Sequence, residues 1–122
     1  MKFICLIPEQ SDIYVVDGRV LLQNKNTGVI STVCSNNWGN EEATVICKQL
    51  GLGDSGIAFE VSRNWEYSRG LFDVKCTGSE NRLTECSYTT DDYYYICDYV
   101  GDAAVSCIEN GTCRYLLLLL YV

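Results

Sequence analysis

Eight cysteines in 122 residues, in a chain without a single histidine, restrict the fold more than any other feature. They are Cys5, Cys34, Cys47, Cys76, Cys86, Cys97, Cys107 and Cys113. An even number at this density in a short chain reads as a disulfide framework, which persists in an oxidising compartment. A structural zinc site is the main competitor, and it fits badly. Zinc modules use closely spaced ligand pairs such as C-x2-C, usually with histidine. Here the tightest spacing, Cys107 to Cys113, leaves five residues between the thiols. The length suits one domain with a real core, so the bridges would reinforce a fold rather than replace one.

Charge and the missing imidazole exclude whole classes of function. Sixteen acids against nine Lys and Arg give a net charge of −7. Such a field repels phosphate backbones, so nucleic acid is not an expected partner, and a polyanion would need a local basic patch. Without histidine no Ser-His-Asp or Cys-His nucleophile exists and no imidazole can hold a metal. Adjacent carboxylates such as Glu41-Glu42 or Asp91-Asp92 read as solvated charge, because acid/base work needs two environments that drive pKa values apart. The expectation is therefore no enzyme and no catalytic residue.

Neither end completes a targeting signal. Met1–Ile7 begins like a signal peptide, but its apolar run stops at Pro8 after five residues, short of the seven to fifteen an h-region needs. Residues 114–122 form an apolar tail. Its run Tyr115–Val122 would rise only about 12 Å as a helix, against a hydrocarbon core of about 30 Å. The tail reads as a terminal strand or part of a truncated segment, the whole chain as a piece of a larger precursor, and membrane attachment as a matter for parts of the chain not in hand. Asn110-Gly111-Thr112 is a glycosylation sequon, which fits the secretory reading.

Local patterning predicts an α+β domain over residues 3–113. Phe3–Ile7, Ile13–Val16, Val20–Leu22, Val29–Cys34, Leu71–Cys76 and Ala103–Cys107 read as strands, with Asp17-Gly18 and Asn24–Gly28 as turns. One helix stands out: Asn40 as N-cap, acids in the first turn, an apolar stripe of Ala43, Ile46, Cys47 and Leu50, and Gly51 at its end. Leu52–Gly70 reads as irregular, and Glu80–Glu85 as one helical turn. The architecture expected is a curved antiparallel sheet cradling one main helix.

With these elements in place, the chain resembles a scavenger receptor cysteine-rich domain of the six-cysteine type with two extra cysteines. Asp17-Gly18-Arg19-Val20 resembles the early G-R-V strand. Thr32-Val33-Cys34, Trp38 and Val45-Ile46-Cys47-Lys48-Gln49-Leu50-Gly51 resemble the T-V-C, W and V-C-R-Q-L-G run. Leu71–Cys76, Gly78–Cys86 and Asp102–Cys107 resemble the family's later cysteine segments. The resemblance implies bridges Cys34–Cys97, Cys47–Cys107 and Cys76–Cys86. Cys5 and Cys113 remain and are expected to pair with each other; the rival is that Cys113 opens a following module.

The departures from the family pattern bear on cations. Many members bind calcium through an acidic pair after the T-V-C cysteine and a glutamate before the last strand; here those positions are Ser35, Asn36 and Gly101. Asp102, Asp73 and Asp98 are what remains as a weak metal set. Calcium needs six to eight oxygens with several carboxylates among them, so no cofactor is expected.

Two patches are candidates for recognition. Arg63, Trp65, Tyr67 and Arg69, with Lys75 and Arg82 nearby, form the one basic-aromatic cluster and the possible remnant of polyanion binding. Asp91, Asp92, Tyr93, Tyr94, Tyr95, Asp98 and Tyr99 suit a basic protein partner better. The function expected is an extracellular or cell-surface recognition module, binding a protein or polyanionic ligand as part of a larger receptor. The alternative is an accessory domain of a secreted enzyme such as a serine protease.

Overall fold

Asp17 and Gly18 both take positive φ, 52° and 84°, the geometry of a two-residue turn whose twist matches paired antiparallel strands. They join β1 (Ile13–Val16) to β2 (Arg19–Gln23) in the first hairpin of the described residues. The structure is a computed structural model and describes residues 12–91 and 95–108. Phe3–Ile7, Cys5, Asp92, Tyr93, Tyr94, Asn110, Cys113 and the 114–122 tail lie outside the described residues. Asn24 caps the second turn, its side chain accepting from the amides of Asn26 and Thr27 at 2.9 and 3.2 Å. The chain then returns as β3 (Ile30–Val33).

Helix α1 covers Asn40–Gln49. Its N-cap is Gly39, one residue before the expected Asn40, and the Gly39 amide donates to the Glu42 carboxylate at 2.8 Å. Asn40 is occupied elsewhere: its side-chain oxygen accepts the Ala58 amide of the neighbouring strand at 2.8 Å. Glu42 is buried and also accepts the Cys76 amide at 2.7 Å, so it ties the helix start to a disulfide cysteine. At the other end Gly51 sits at φ 69°, with the Leu52 amide donating to Cys47 and the Gly51 amide to Lys48. That pair of bonds is a Schellman closure, which an αL glycine permits. The stripe Ala43, Ile46, Cys47 and Leu50 is core, joined by Val45.

Strands β4 (Ser55–Val61), β5 (Ser68–Lys75), β6 (Ser87–Thr89) and β7 (Asp102–Ile108) complete a curled sheet of order β4-β7-β2-β3-β5-β6, with β1 added on β2. The fold is α+β, as expected, and its sheet is mixed: β3 and β5 run parallel while the other pairs are antiparallel. The stretch read as irregular contains β4, which packs against α1 and pairs along its whole length with β7. Its inward positions are the small Gly56 and Ala58, whereas Ile57 and Phe59 stay about half exposed. Small residues are needed because the helix lies so close: a Cβ at Gly56 would meet Cys47 Sγ at 2.7 Å and the Ala43 carbonyl at 2.8 Å.

The alternation of faces that a regular strand over Leu71–Cys76 would have fails at Asp73. Asp73 adopts φ 52°, and the β5–β6 register shifts between Phe72 and Lys75. One residue is thereby taken out of the pleat, so Leu71 and Val74 both reach the core. Among the described residues three disulfides close the framework: Cys34–Cys97, Cys47–Cys107 and Cys76–Cys86, the pairs that the resemblance implies. The first two link residues 63 and 60 positions apart, and chain entropy assigns such loops about 4 kcal/mol each.

Candidate functional site

The centre of the molecule's polar chemistry is Asp102, at the start of β7 and wholly buried. Its carboxylate accepts Arg19 Nε and Arg69 Nε, each at 3.2 Å, and the Asn64 amide at 2.9 Å. A buried carboxylate is tolerated when charge and hydrogen bonding are both satisfied, and here they are. The two arginines then reach past it. Arg19 donates to the Ser62 carbonyl at 2.7 Å. Arg69 donates to the carbonyls of Cys97 and Val100. The hub therefore holds two loops from beneath: the β4–β5 loop through Ser62 and Asn64, and the β6–β7 loop through Cys97 and Val100.

Above the hub the two loops meet at the surface. Arg63 lies over the Trp65 ring, 3.7 Å from its centroid, and its guanidinium is 3.6 Å from the Asp98 carboxylate. Arg63 thus belongs to both loops at once, stacked on one and paired to the other. Trp65 is 73% exposed on the first of these loops, and Tyr95 and Tyr99 are 69% and 89% exposed on the second. Tyr95 sits in the left-handed region at φ 55° directly before the 3-10 turn Ile96–Asp98. Cys97 in that turn is bridged to Cys34 at the end of β3, which anchors the loop covalently.

This geometry redistributes the residues that the sequence grouped. Arg63 and Trp65 share one face, where Asp98 from the second patch joins them; Tyr95 and Tyr99 stand exposed on the same loop as Asp98. Tyr67 is half-buried beside them, its amide turned to Asn64. Arg69 does not belong to a surface patch: its side chain is 2% exposed and occupied by Asp102 and two carbonyls. The reason is topological, since β5 runs beside β3 and carries Arg69 under the loops. Lys75 stands 3.8 Å from the Asp73 carboxylate, and Arg82 lines a separate groove of about 440 Å³ beside α1. The basic cluster therefore dissolves: Arg63, Arg69 and Lys75 each face a carboxylate, and Arg82 stands apart from them. Arg19 in the hub escaped the sequence reading; the only hint was its place in the G-R-V strand beside a turn.

The weak metal set is likewise dispersed. Asp102 is enclosed by its arginines, Asp98 faces Arg63, and Asp73 accepts from Asn37 Nδ2 at 2.6 Å. These carboxylates do not converge, so the residues do not fit a calcium ion. Where the family pattern has its acids, Ser35 and the Gly101 amide instead donate to Glu60 of β4, and these hydrogen bonds hold the Glu60 carboxyl below its ordinary value. Asn36 accepts the Asp73 amide at 3.0 Å and is likewise engaged. Among the described residues the tight group Cys76, Glu80 and Cys86 has both sulfurs in a disulfide.

Comparison with known proteins accords with this architecture. The family model "Scavenger receptor cysteine-rich domain" matches residues 12–108. Lysyl oxidase homolog 2 of Xenopus tropicalis is 36% identical over 105 residues, covering 78% of this chain and 13% of that protein. Human CD5 antigen-like is 34% identical over 99 residues, covering 77% of this chain and 27% of that protein. The dimeric form of the SRCR domain of mouse MARCO superimposes with a TM-score of 0.62 at 29% identity, covering 75% of this chain and 85% of that one. The third SRCR domain of murine neurotrypsin gives 0.60 at 31%, covering 78% and 94%. The chain belongs to the scavenger receptor cysteine-rich family. Domains of this family are non-catalytic modules of extracellular or cell-surface proteins and mediate interactions with extracellular proteins or ligands. No helix among the described residues is long and apolar enough to cross a membrane.

Proposed function

We propose that this domain recognises an extracellular protein through the face built by its β4–β5 and β6–β7 loops, without catalysis and without calcium. The observation that carries the reading is the Arg63 side chain, stacked on Trp65 and paired with Asp98. It makes one rigid surface from two loops that are far apart in sequence. Aromatic residues with arginine are the usual anchors of protein interfaces, and a surface fixed in advance loses less entropy on docking. Protein is favoured over polyanion because Arg69 is internal and Arg63 already faces a carboxylate. A heparin-like chain would meet no free basic cluster on this face. The same module is compatible with service beside a catalytic domain, since a protein named as a lysyl oxidase homolog carries a related domain over 13% of its length.

The test is binding of the labelled, disulfide-intact chain to cell surfaces and extracellular matrix. Trp65→Ala combined with Tyr99→Ala is expected to lower binding at least tenfold while leaving the melting temperature within a few degrees, because both side chains are largely exposed. A calcium chelator is expected to change nothing. Full binding by the double variant refutes the assignment of this face, and loss of binding on chelation refutes calcium independence.

A further inference from the structure

Resting on that assignment of the face, we infer that its occupant is a basic stretch of a partner protein, whose arginine or lysine side chains lie on Trp65 and Tyr99 and are met by the carboxylates of Asp98 and Glu66. The molecule already displays this chemistry internally. One guanidinium, that of Arg63, sits 3.7 Å from the Trp65 centroid with the Asp98 carboxylate 3.6 Å away. A cation placed between an aromatic face and a carboxylate is favoured by the ring quadrupole and by Coulomb attraction together. Arg63 occupies part of that capacity only. Trp65 remains 73% exposed, and the Asp98 side chain 57%.

Charge across the face points the same way. On the two loops the exposed acids Glu66 and Asp98 outnumber the one cation, Arg63, whose side chain is 20% exposed, and Asp91 is exposed on the same β6–β7 connection. The whole chain adds −7, so the long-range field also draws a cation toward the surface and repels an anion. Tyr95 and Tyr99, three residues before Asp98 and one after it in the chain, carry exposed rings on the same loop, at 69% and 89% exposure. Hydrophobic anchoring alone would suit an apolar segment, but a purely apolar occupant would strip water from Asp98 and Glu66 without replacing it. A basic segment satisfies both the rings and the acids.

The experiment uses the intact disulfide-bonded chain and three probes: an Arg-Ser alternating octapeptide, a Glu-Ser octapeptide and heparin. The Arg-Ser peptide is expected to shift the Trp65 indole N–H and the Tyr95 and Tyr99 amides in NMR spectra. Its affinity is expected to fall at least tenfold with Trp65→Ala, about three- to tenfold with Glu66→Gln, and steeply with added salt. It should also compete for the cell-surface binding described above. Preference for heparin or the Glu-Ser peptide, shifts confined to another surface, or indifference to Trp65→Ala would each overturn the inference. So would loss of cell-surface binding in the double aromatic variant together with undiminished binding in Glu66→Gln and no peptide competition. That last outcome leaves the face assigned and only the basic occupant refuted, whereas full cell-surface binding by the double variant refutes the face itself.

Discussion

Asp102→Asn separates the hub's electrostatic role from its shape. The side chain keeps its volume, but one acceptor oxygen becomes an NH2 group facing an arginine Nε–H or the Asn64 amide. Two guanidiniums remain, Arg69 at 2% side-chain exposure and Arg19 at 22%, with no anion between them. Removing one partner of a buried ion pair costs about 3–5 kcal/mol, because the surviving charge stays desolvated. A domain of this size has about 5–15 kcal/mol in total. Each kcal/mol moves the melting temperature of such a domain by about 4–8 °C, so a fall of at least 12 °C is expected. Arg69→Met is the internal control. It leaves Asp102 paired with Arg19 and the Asn64 amide, and it strands the Cys97 and Val100 carbonyls in a loop that can turn to water. That change should cost about 1–3 kcal/mol, the price of unmet hydrogen bonds rather than of unpaired charge. The assay is thermal unfolding of the oxidised proteins followed by circular dichroism. A fall below about 4 °C for Asp102→Asn, or a larger fall for Arg69→Met, refutes the view that this carboxylate balances the hub.

Two further outcomes follow from the fold. Gly56→Ala should destabilise by about 2–3 kcal/mol through overpacking, since the added methyl meets Cys47 Sγ and the Ala43 backbone within 2.8 Å; a change under about 0.5 kcal/mol in urea unfolding would show that α1 and β4 can separate freely. Glu60 gives a pH signature. Its folded pKa is depressed by the Ser35 and Gly101 hydrogen bonds, so its contribution is present above the ordinary value of 4.5 and is lost as pH falls through the folded value. The stability gap between wild type and Glu60→Gln should therefore be full at neutral pH and shrink below about pH 4.5; a gap independent of pH contradicts the assignment.

What the sequence disclosed and what it concealed divide along physical lines. The helix was legible because its apolar stripe, glycine stop and acidic start are all local signals. Strand β4 was not, because burial there falls on Gly56 and Ala58 while the conspicuous apolar residues Ile57 and Phe59 face outward. A strand whose inner face must be small to admit a helix reads as a glycine-broken loop. Asp73 hid for a related reason: one residue at positive φ reverses the alternation on which a strand's faces are judged.

The site was harder still, for arginines look alike in a sequence. Arg63 and Arg69 are six positions apart and suggested one basic patch, yet their fates are opposite. The β4–β5 loop lifts Arg63 onto Trp65, while the parallel pairing of β5 with β3 puts Arg69 beneath, against Asp102. Asp102 in turn was read as a possible cation ligand, and in a sense it is one, its cations being guanidiniums supplied by the chain. That substitution has a consequence for recognition. A metal-centred loop cluster would be assembled or released by ion concentration, whereas one assembled by Arg19 and Arg69 is fixed once the protein folds. On the proposed reading the face above the hub forms with the fold, and its affinity for a partner should follow ionic strength, through the rim charges, rather than calcium.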